Sequence, residues 1–308
     1  MIQIFSKRNK SDRLKELTQL TKGSWVNLTN PSKKELKWIS EKTKIGLDEI
    51  KDTVDPNEVP RIEKENNYKH FIIRIPKRHN ETKIKTIPLG IFILKDKIVT
   101  ICSKSNKITD ELIQNTPKEF LTNKPEDMLI PLLNSINKHY KYHLKGIHKK
   151  ITKKEVQIKK LKPNDIVDLV EIEKVLNYFI TDLSHTTNVF ERLFKAKIIP
   201  KKKKTKELVE DIVIDAQQNL ENSRTMQKIV MNTRNAYESI LGNSLNKIMK
   251  FLTAITVILT IPTVVSGIYG MNVDLPLQQN PQAFSFLMIF MIIVSIILAI
   301  IFSKKNWL

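Results

Sequence analysis

The chain has 308 residues, and its 52 Lys and Arg residues against 32 Asp and Glu residues give a formal net charge of +20. Nucleic acid is a common partner of so basic a protein, but the sequence has no zinc-finger spacing, RNA-binding aromatic signature or helix-turn-helix punctuation. A position beside an anionic membrane leaflet explains the charge better. The one cysteine, Cys102, excludes a disulfide framework and a cysteine-based zinc site, and it favours a reducing compartment.

The first part of the chain, residues 1–123, has the pattern of a cytoplasmic α/β domain. Apolar, β-branched runs separated by turn residues predict an antiparallel meander. The domain has no phosphate-binding glycine loop, nucleophile elbow or His-Glu-x-x-His pair, which argues against an enzyme. The predicted elements are strands at 24–28, 68–75, 87–94 and 97–102 and helices at 33–44 and 47–53.

Residues 124–250 form a second predicted domain, a long helical hairpin followed by a stalk. Breaks at Lys162-Pro163-Asn164 and at Pro200 to Thr205 divide the sequence into three helices. The third helix continues into the membrane, and at 1.5 Å per residue its cytoplasmic part would be about 60 Å long. The predicted helices cover 125–161, 165–198 and 206–270.

Residues 251–308 are predicted to form a transmembrane domain with a basic tail. Two apolar runs, 251–269 and 283–302, are each close to the ~20 residues that cross a bilayer as a helix. Asp274 is the only charged residue from 251 to 302. Lysines flank the pair of spans, but the loop at 270–282 has none, so the positive-inside rule places both termini in the cytoplasm and the loop outside. We therefore expect a multi-pass protein of the inner cell membrane.

One face of the first span is small and polar. The members of this stripe lie at alternating spacings of three and four residues, counted back from Gly270. The residues between them in the membrane are bulky and aliphatic. A 3.5-residue period stays on one face of a left-handed supercoil, so several copies could turn the stripe inward to line water. The alternative, close packing of membrane helices through small residues, explains a shorter stripe better than this one. Its members are Gly267, Thr263, Thr260, Thr256, Thr253, Met249, Asn246, Gly242, Ser239 and Asn235.

The sequence Tyr269-Gly270-Met271-Asn272 follows the first span directly, before a short loop, a second span and a basic tail. This arrangement resembles the CorA family of divalent-cation channels, whose signature is the Gly-Met-Asn triplet. The stretch from Asp55 to Glu63 also resembles that family's N-terminal domain. The resemblance implies a CorA-like funnel: a homopentamer that conducts Mg²⁺, often with Co²⁺ and Ni²⁺, and is held shut by intracellular Mg²⁺ bound between subunits.

The resemblance also implies roles for individual residues. Gly270, Met271 and Asn272 would form the selectivity filter. Met249 and Leu252 would form a hydrophobic constriction, and Thr260 stands where the family often has a third bulky apolar residue. The implied pore-lining set is Asn246, Met249, Leu252, Thr253, Thr256, Thr260, Thr263 and Gly267.

A regulatory Mg²⁺ site is implied as well, with Mg²⁺ both transported and regulatory. By register with the motifs, the family's pair of acids falls on Asp52 and Asp211, with Asp215 one turn further along the stalk. Ordinary surface ion pairs on a basic protein remain the alternative for these three residues.

Other functions remain open at this point. A zinc transporter of the ZntB type shares the architecture, although the intact Met271 argues against it. A membrane-tethered scaffold or signalling protein is a second alternative, but an anchor helix needs no hydroxyl face. No nucleic-acid partner is expected.

The segment from Lys138 to Lys162 is unusually basic, with ten lysines, three histidines and one acid. We expect its tip to reach anionic headgroups, with a solvated helix as the alternative. His139 and His143 have no evident third metal ligand, so the sequence favours a solvated basic face for them. Cys102 is expected to be a buried small side chain, and 201–204 a solvated turn.

Overall fold

The computed structural model describes residues 1–79, 84–195, 203–277 and 279–308. The described residues divide into two compact units, Met1–Arg234 and Asn235–Leu308. The first unit contains a β-sheet and most of the helices, and the second contains the two apolar spans. An α/β unit followed by long helices and two apolar helices is the fold class predicted from the sequence, and it is confirmed. The three-part domain division stays a prediction.

The described strands of the first unit form one seven-stranded sheet in the order β2-β1-β3-β7-β6-β5-β4. Neighbouring strands are antiparallel except β3 and β7, which pair in parallel with Trp25 opposite Ile98. The meander β5-β6-β7 is therefore confirmed. The strands are β1 (Ile2–Ser6), β2 (Lys15–Leu17), β3 (Ser24–Thr29), β4 (Arg61–Lys64), β5 (Tyr68–Arg78), β6 (Ile84–Leu94) and β7 (Lys97–Cys102).

Long helices follow the sheet, as predicted. The fourth helix ends before residue 161, and a 3₁₀ turn at Ile158–Lys160 fills the space up to Pro163, the first residue of the fifth helix. The predicted break after residue 198 lies largely outside the described residues. The helices are α1 (Lys33–Thr43), α2 (Leu47–Asp52), α3 (Lys107–Gln114), α4 (Pro125–Val156), α5 (Pro163–Lys195), α6 (Lys203–Tyr269) and α7 (Ala283–Lys304).

Both faces of the sheet are buried, which explains why its central strands are continuous apolar runs. Trp25 and Ile98 point into a core shared with α3, α4, α5 and the first part of α6. Val26 and Val99 point to the other face, where α1 and α2 cover them. α1 begins with a capping box between Ser32 and Glu35, which satisfies backbone donors at the start of the helix.

α2 lies close to the sheet at one glycine. A side chain on Gly90 of β6 would place its Cβ 2.1 Å from Cγ2 of Thr53, the residue that caps the C-terminus of α2. The buried Thr53 hydroxyl donates a hydrogen bond to the Ile50 carbonyl and cannot move freely. Gly90 therefore sets how closely the end of α2, with Asp52, approaches the strand.

We predict that Gly90→Ala destabilises the protein by about 1–3 kcal/mol, the usual cost of overpacking a core. Gly146→Ala on α4 is the matched control, because nothing lies within 4 Å of its added Cβ. Alanine there should be neutral or stabilising by about 0.5–1 kcal/mol. Thermal unfolding of the full chain in detergent, followed by tryptophan fluorescence, measures both. Equal melting temperatures for the two variants would contradict the role given to Gly90.

Candidate functional site

The second unit contains two helices that are long and apolar enough to cross a membrane, the end of α6 and all of α7. On each helix, side chains that are buried or partly buried recur every three or four residues and so lie on one face. Such matching stripes are what two neighbouring antiparallel helices bury. The covered positions are Ala254, Ile255, Ile258, Ile261, Pro262 and Val265 on α6, and Ala283, Leu287, Met291, Val294, Ser295, Leu298, Ala299 and Phe302 on α7.

The polar stripe of α6 lies on the other side of the helix. At 3.6 residues per turn, Thr253, Thr256, Thr260 and Thr263 point roughly half a turn away from the face centred on Ile258. All four threonines are exposed in the single chain. Their small side chains are therefore not used to pack α6 against α7, and the face remains available to water or to other copies.

The threonine hydroxyls are oriented by their own helix. Each donates a hydrogen bond to the carbonyl four residues earlier, at distances of 2.8, 2.8, 2.7 and 2.8 Å for Thr253, Thr256, Thr260 and Thr263. A hydroxyl has one donor and two acceptor lone pairs, so its remaining capacity is that of an acceptor. Water bound to a cation points its hydrogens outward. The stripe is suited to accept hydrogen bonds from a hydrated cation.

Below the threonines, the predicted constriction residues also face away from the chain. Met249 and Leu252 are 55% and 57% exposed, and Asn246 is exposed one turn earlier. Burying such large side chains is favourable. A ring of several copies would cover them, although the structure describes one copy only.

The Gly-Met-Asn turn terminates α6. The Gly270 N–H donates to the Ser266 carbonyl at 2.9 Å, and the Met271 N–H donates to the Ile268 carbonyl at 3.1 Å, which tightens the last turn. The Tyr269 hydroxyl donates to the Pro276 carbonyl at 3.2 Å and ties the helix end to the loop. The last carbonyls of a helix have no further N–H within it and carry partial negative charge.

Asn272 follows this turn with an exposed side chain, and its amide makes no hydrogen bond within the described residues. Met271 is exposed beside it, and Asp274 is the one charge in the described part of the loop. The turn therefore combines helix-end carbonyls with a free amide oxygen. Neutral oxygen ligands of this kind suit Mg²⁺, which keeps most of its water shell.

The predicted regulatory acids do not form a metal site within one chain. Among the described residues, no group of three or more His, Cys, Asp and Glu side chains could hold a metal ion. Asp52 instead pairs with Arg61 at 2.7 Å. Asp211 is exposed and Asp215 half-buried on α6, and neither has an ion-pair partner in the described part of the chain. A site between subunits stays a prediction.

Arg61 is a residue that the sequence analysis missed. Its guanidinium contacts Asp52 and Glu63, both at 2.7 Å, and Glu58 as well. Glu63 lies 3.2 Å from His70, whose burial lowers its pKa. The run Asp55-Pro56-Asn57-Glu58 followed by Arg61 and Glu63 was a signal for this cluster, because it places one basic residue among three acids within nine residues.

The basic segment from Lys138 to Lys162 departs from its prediction at three side chains. Lys154 is only 15% exposed, because it pairs with Asp165 at 2.6 Å and Asp168 at 3.0 Å. The prediction of a solvated face for His139 and His143 was wrong. The His139 side chain is 11% exposed, with Nε2 3.4 Å from Glu111 on α3, and His143 is half-buried.

Predictions were also made for Cys102 and for the turn at 201–204. Cys102 is buried, as expected, and burial raises the pKa of its thiol to about 11. The predicted turn at 201–204 begins outside the described residues, and residues 203 and 204 already belong to α6.

Known proteins resemble this chain over almost its full length. A family model described as CorA-like Mg²⁺ transporter protein matches residues 21–305. The cobalt/magnesium transport protein CorA of Methanocaldococcus jannaschii is 28% identical over 295 residues, which are 92% of this chain and 91% of that protein. The protein of the same name from Thermotoga maritima is 21% identical over 299 residues, 92% of this chain and 83% of its own.

Solved structures agree with the sequence relatives. The complete structure of the CorA magnesium transporter from Methanocaldococcus jannaschii superposes with a TM-score of 0.88 at 25% identity, covering 100% of this chain and 99% of that one. The ZntB cytoplasmic domain from Vibrio parahaemolyticus shares the fold alone, with a TM-score of 0.65 and 8% identity over 78% of this chain and 98% of that one. Since the family model spans both the α/β unit and the two spans, the chain belongs to the family of CorA-like Mg²⁺ transporter proteins.

Proposed function

We propose that the chain is one subunit of a homopentameric channel that carries divalent cations, Mg²⁺ first and also Co²⁺ and Ni²⁺, into the cell. The observation that carries the proposal is the exposed threonine stripe of α6, which ends at the Gly-Met-Asn turn. Relatives over most of the chain are named as cobalt/magnesium transport proteins. Both termini would be cytoplasmic and the membrane would be the inner one, because lysines flank the two spans and not their loop.

In this proposal the ion passes the filter with its water shell. Mg²⁺ loses its waters reluctantly and prefers oxygen ligands. Asn272 amide oxygens and Gly270 carbonyls from five copies would accept hydrogen bonds from those waters, with Met271 beside them. The threonine oxygens and Gly267 continue the polar path inward. Met249 and Leu252 would close it by excluding water, with Asn246 at the cytoplasmic side.

Zinc transport of the ZntB type is less well supported. The ZntB cytoplasmic domain matches at 8% identity with a TM-score of 0.65, whereas the magnesium transporter matches at 25% identity with a TM-score of 0.88. Met271 and the full Gly-Met-Asn triplet are consistent with the magnesium assignment.

Closure would follow from Mg²⁺ bound between subunits at Asp52 of one copy and Asp211 of the next, with Asp215 nearby. Asp211 has no ion-pair partner in the described part of the chain, so its carboxylate is available. Asp52 shares the Arg61 guanidinium with two glutamates, and its side chain is still 42% exposed. Bound Mg²⁺ would favour the shut state only by its higher affinity for that state.

The lysines near the end of α4 would contact anionic lipid. Lys149, Lys150 and Lys153 are exposed and, among the described residues, have no carboxylate partner. Each lysine near an anionic surface contributes about 1 kcal/mol. Lys154 is left out of this contact because Asp165 and Asp168 already hold it.

Replacing the filter amide tests the conduction path. Asn272→Ala should reduce Mg²⁺ flux into liposomes to background and leave the oligomer intact, because it removes a ring of amide oxygens without changing helix packing. Gln279→Ala, an exposed amide of the same loop, is the matched control and should conduct normally. Flux and gel filtration of the purified proteins measure both effects. Wild-type flux in Asn272→Ala would exclude this filter.

Replacing the regulatory acids tests closure. Asp52→Asn combined with Asp211→Asn should raise the Mg²⁺ concentration that halves the flux about tenfold, equivalent to about 1.4 kcal/mol of lost binding. Asp48→Asn is the control, since this acid lies on the same helix, is exposed and pairs only with Lys51 among the described residues. The sensor lies elsewhere if the double variant closes at the wild-type concentration.

Replacing the lysines tests the lipid contact. Lys149, Lys150 and Lys153 are changed together to Gln, and flux is compared in liposomes with and without anionic lipid. We expect the flux of this variant to depend much less on anionic lipid, because about 3 kcal/mol of attraction is removed. Lys33, Lys34 and Lys37, exposed on α1, give a control with the same change in charge. An equal loss in both triple variants would point to net charge instead of a local contact.

A further inference from the structure

A groove of ≈ 700 Å³ lies in the first unit, where the end of β5 meets the start of α3 and the middle of α4. It has no part in the proposed ion path or in the sensor. Its volume is within the range of about 300–1,000 Å³ that holds small organic ligands. The groove is lined by twelve residues, most of which are polar or charged.

The groove carries more positive than negative charge. Lys77, Arg78, Lys107 and Lys138 line it, against Asp110 and Glu111. Lys107 and Lys138 are exposed and have no carboxylate partner in the described part of the chain. Lys77 donates to the carbonyl of Ser105 at 2.6 Å, and its charge acts to lower the pKa of Asp110, which burial raises. Among the described lining residues, basic side chains outnumber acidic ones.

His143 lies close to several of the basic side chains in the groove. Its pKa is lowered to about 4, first by burial and then by repulsion from His139, Arg78 and Lys107. The Nδ1 of His139 lies 2.9 Å from the Ser135 carbonyl, and its Nε2 lies 3.4 Å from Glu111. These neighbouring positive charges would attract an anion that enters the groove.

The start of α3 adds partial positive charge on the same side. Asn106 caps the helix by accepting a hydrogen bond from the Thr109 N–H at 2.9 Å. Lys107, which lines the groove, is the first residue of the helix, and Asp110 of the same turn also lines it. Helix N-termini attract phosphate groups by their backbone donors and by the helix dipole.

An aromatic ring forms the remaining part of the wall. Tyr142 lines the groove, and its large side chain is 69% exposed. Its ring and the ring of His143 are nearly perpendicular, with the ring centroids 5.4 Å apart at 74°. The high exposure of Tyr142 leaves part of its ring surface accessible. A planar base stacked on such a face gains about 1–3 kcal/mol.

We infer that this groove binds a nucleoside phosphate, with the phosphates between Lys107, Lys138 and the start of α3 and the base on Tyr142. Phosphate hydrogen bonds to lysine are charge-assisted and stronger than neutral ones. The inference does not depend on ion conduction, because all of its residues lie within Met1–Arg234. The acidic surface of a second copy is the competing occupant, which the experiment distinguishes.

The test is isothermal titration calorimetry of the full-length oligomer in detergent with ADP. EDTA is present throughout, so that ADP cannot act by removing Mg²⁺. We expect one ADP per chain. Lys107→Gln combined with Lys138→Gln should weaken binding at least about tenfold, since each lysine supplies a charge-assisted contact. Tyr142→Ala should weaken ADP about fivefold or more and leave pyrophosphate unchanged.

The matched control is Lys141→Gln combined with Lys145→Gln, two exposed lysines of α4 that do not line the groove. This variant should bind ADP within about twofold of wild type, because exposed charges outside the groove are screened by salt. Equal weakening in the control pair would overturn the site, as would the absence of ADP binding. A third outcome has two parts: wild type does not bind ADP, and the oligomer dissociates when Lys107→Gln and Lys138→Gln are combined. That outcome would assign the groove to a contact between subunits. ADP affinity unchanged by Tyr142→Ala would overturn the placement of the base.

Discussion

The first span carries four threonine hydroxyls into the bilayer region, and much of the second unit depends on how their hydrogen bonds are satisfied. An unpaired polar group in hydrocarbon costs several kcal/mol. The four threonines remove most of this cost by donating to their own helix, and they need no partner on α7. The opposite face is then free to be entirely apolar and to pack on the second span. One helix thus provides a packing surface and a polar surface without conflict.

In the first unit, one largely covered cation, Arg74, organises the region around the Arg61 cluster. The Arg74 guanidinium donates to the carbonyls of Pro56, Glu58 and Thr86 at 2.9, 2.8 and 2.9 Å, and it pairs with Asp182 at 3.3 Å. Burial raises the pKa of Asp182, whereas Arg74 acts to lower it. A charge removed from water needs this many partners to be tolerated. Arg74 thereby joins the loop after α2 to the sheet and to α5.

Most of the fold was predictable because its elements have strong periodic patterns. The long helices, the central strands and the two spans each bury a face that the sequence displays. The missed elements are short or charged. β4 contains Arg61, Glu63 and Lys64 and is a strand only because its backbone pairs with the edge of β5. β1 and β2 are also short, and they gain their structure from pairing with each other and, for β1, with β3.

Missing α3 had a further consequence for the histidines of α4. Nothing in the local sequence of α4 indicates that a second helix lies over His139, so a solvated face was the natural prediction. The position of the Gly-Met-Asn turn, by contrast, was predictable because this motif directly follows a span. The ion-pair partner of Asp52 could not be predicted in the same way. Arg61 is separated from Asp52 by a turn and lies in a strand whose path depends on the tertiary fold.

The three carboxylates around Arg61 change what a metal ion would encounter at Asp52. This carboxylate already shares a tethered cation with Glu58 and Glu63, and that cation cannot diffuse away. Metal binding there would compete with the guanidinium, which would keep its contacts with Glu58 and Glu63. The free energy of metal binding would then be the difference between the free energies of two ion pairs. The affinity would therefore be weak. A protein in a cell with abundant Mg²⁺ needs such a weak affinity if its occupancy is to follow changes in concentration.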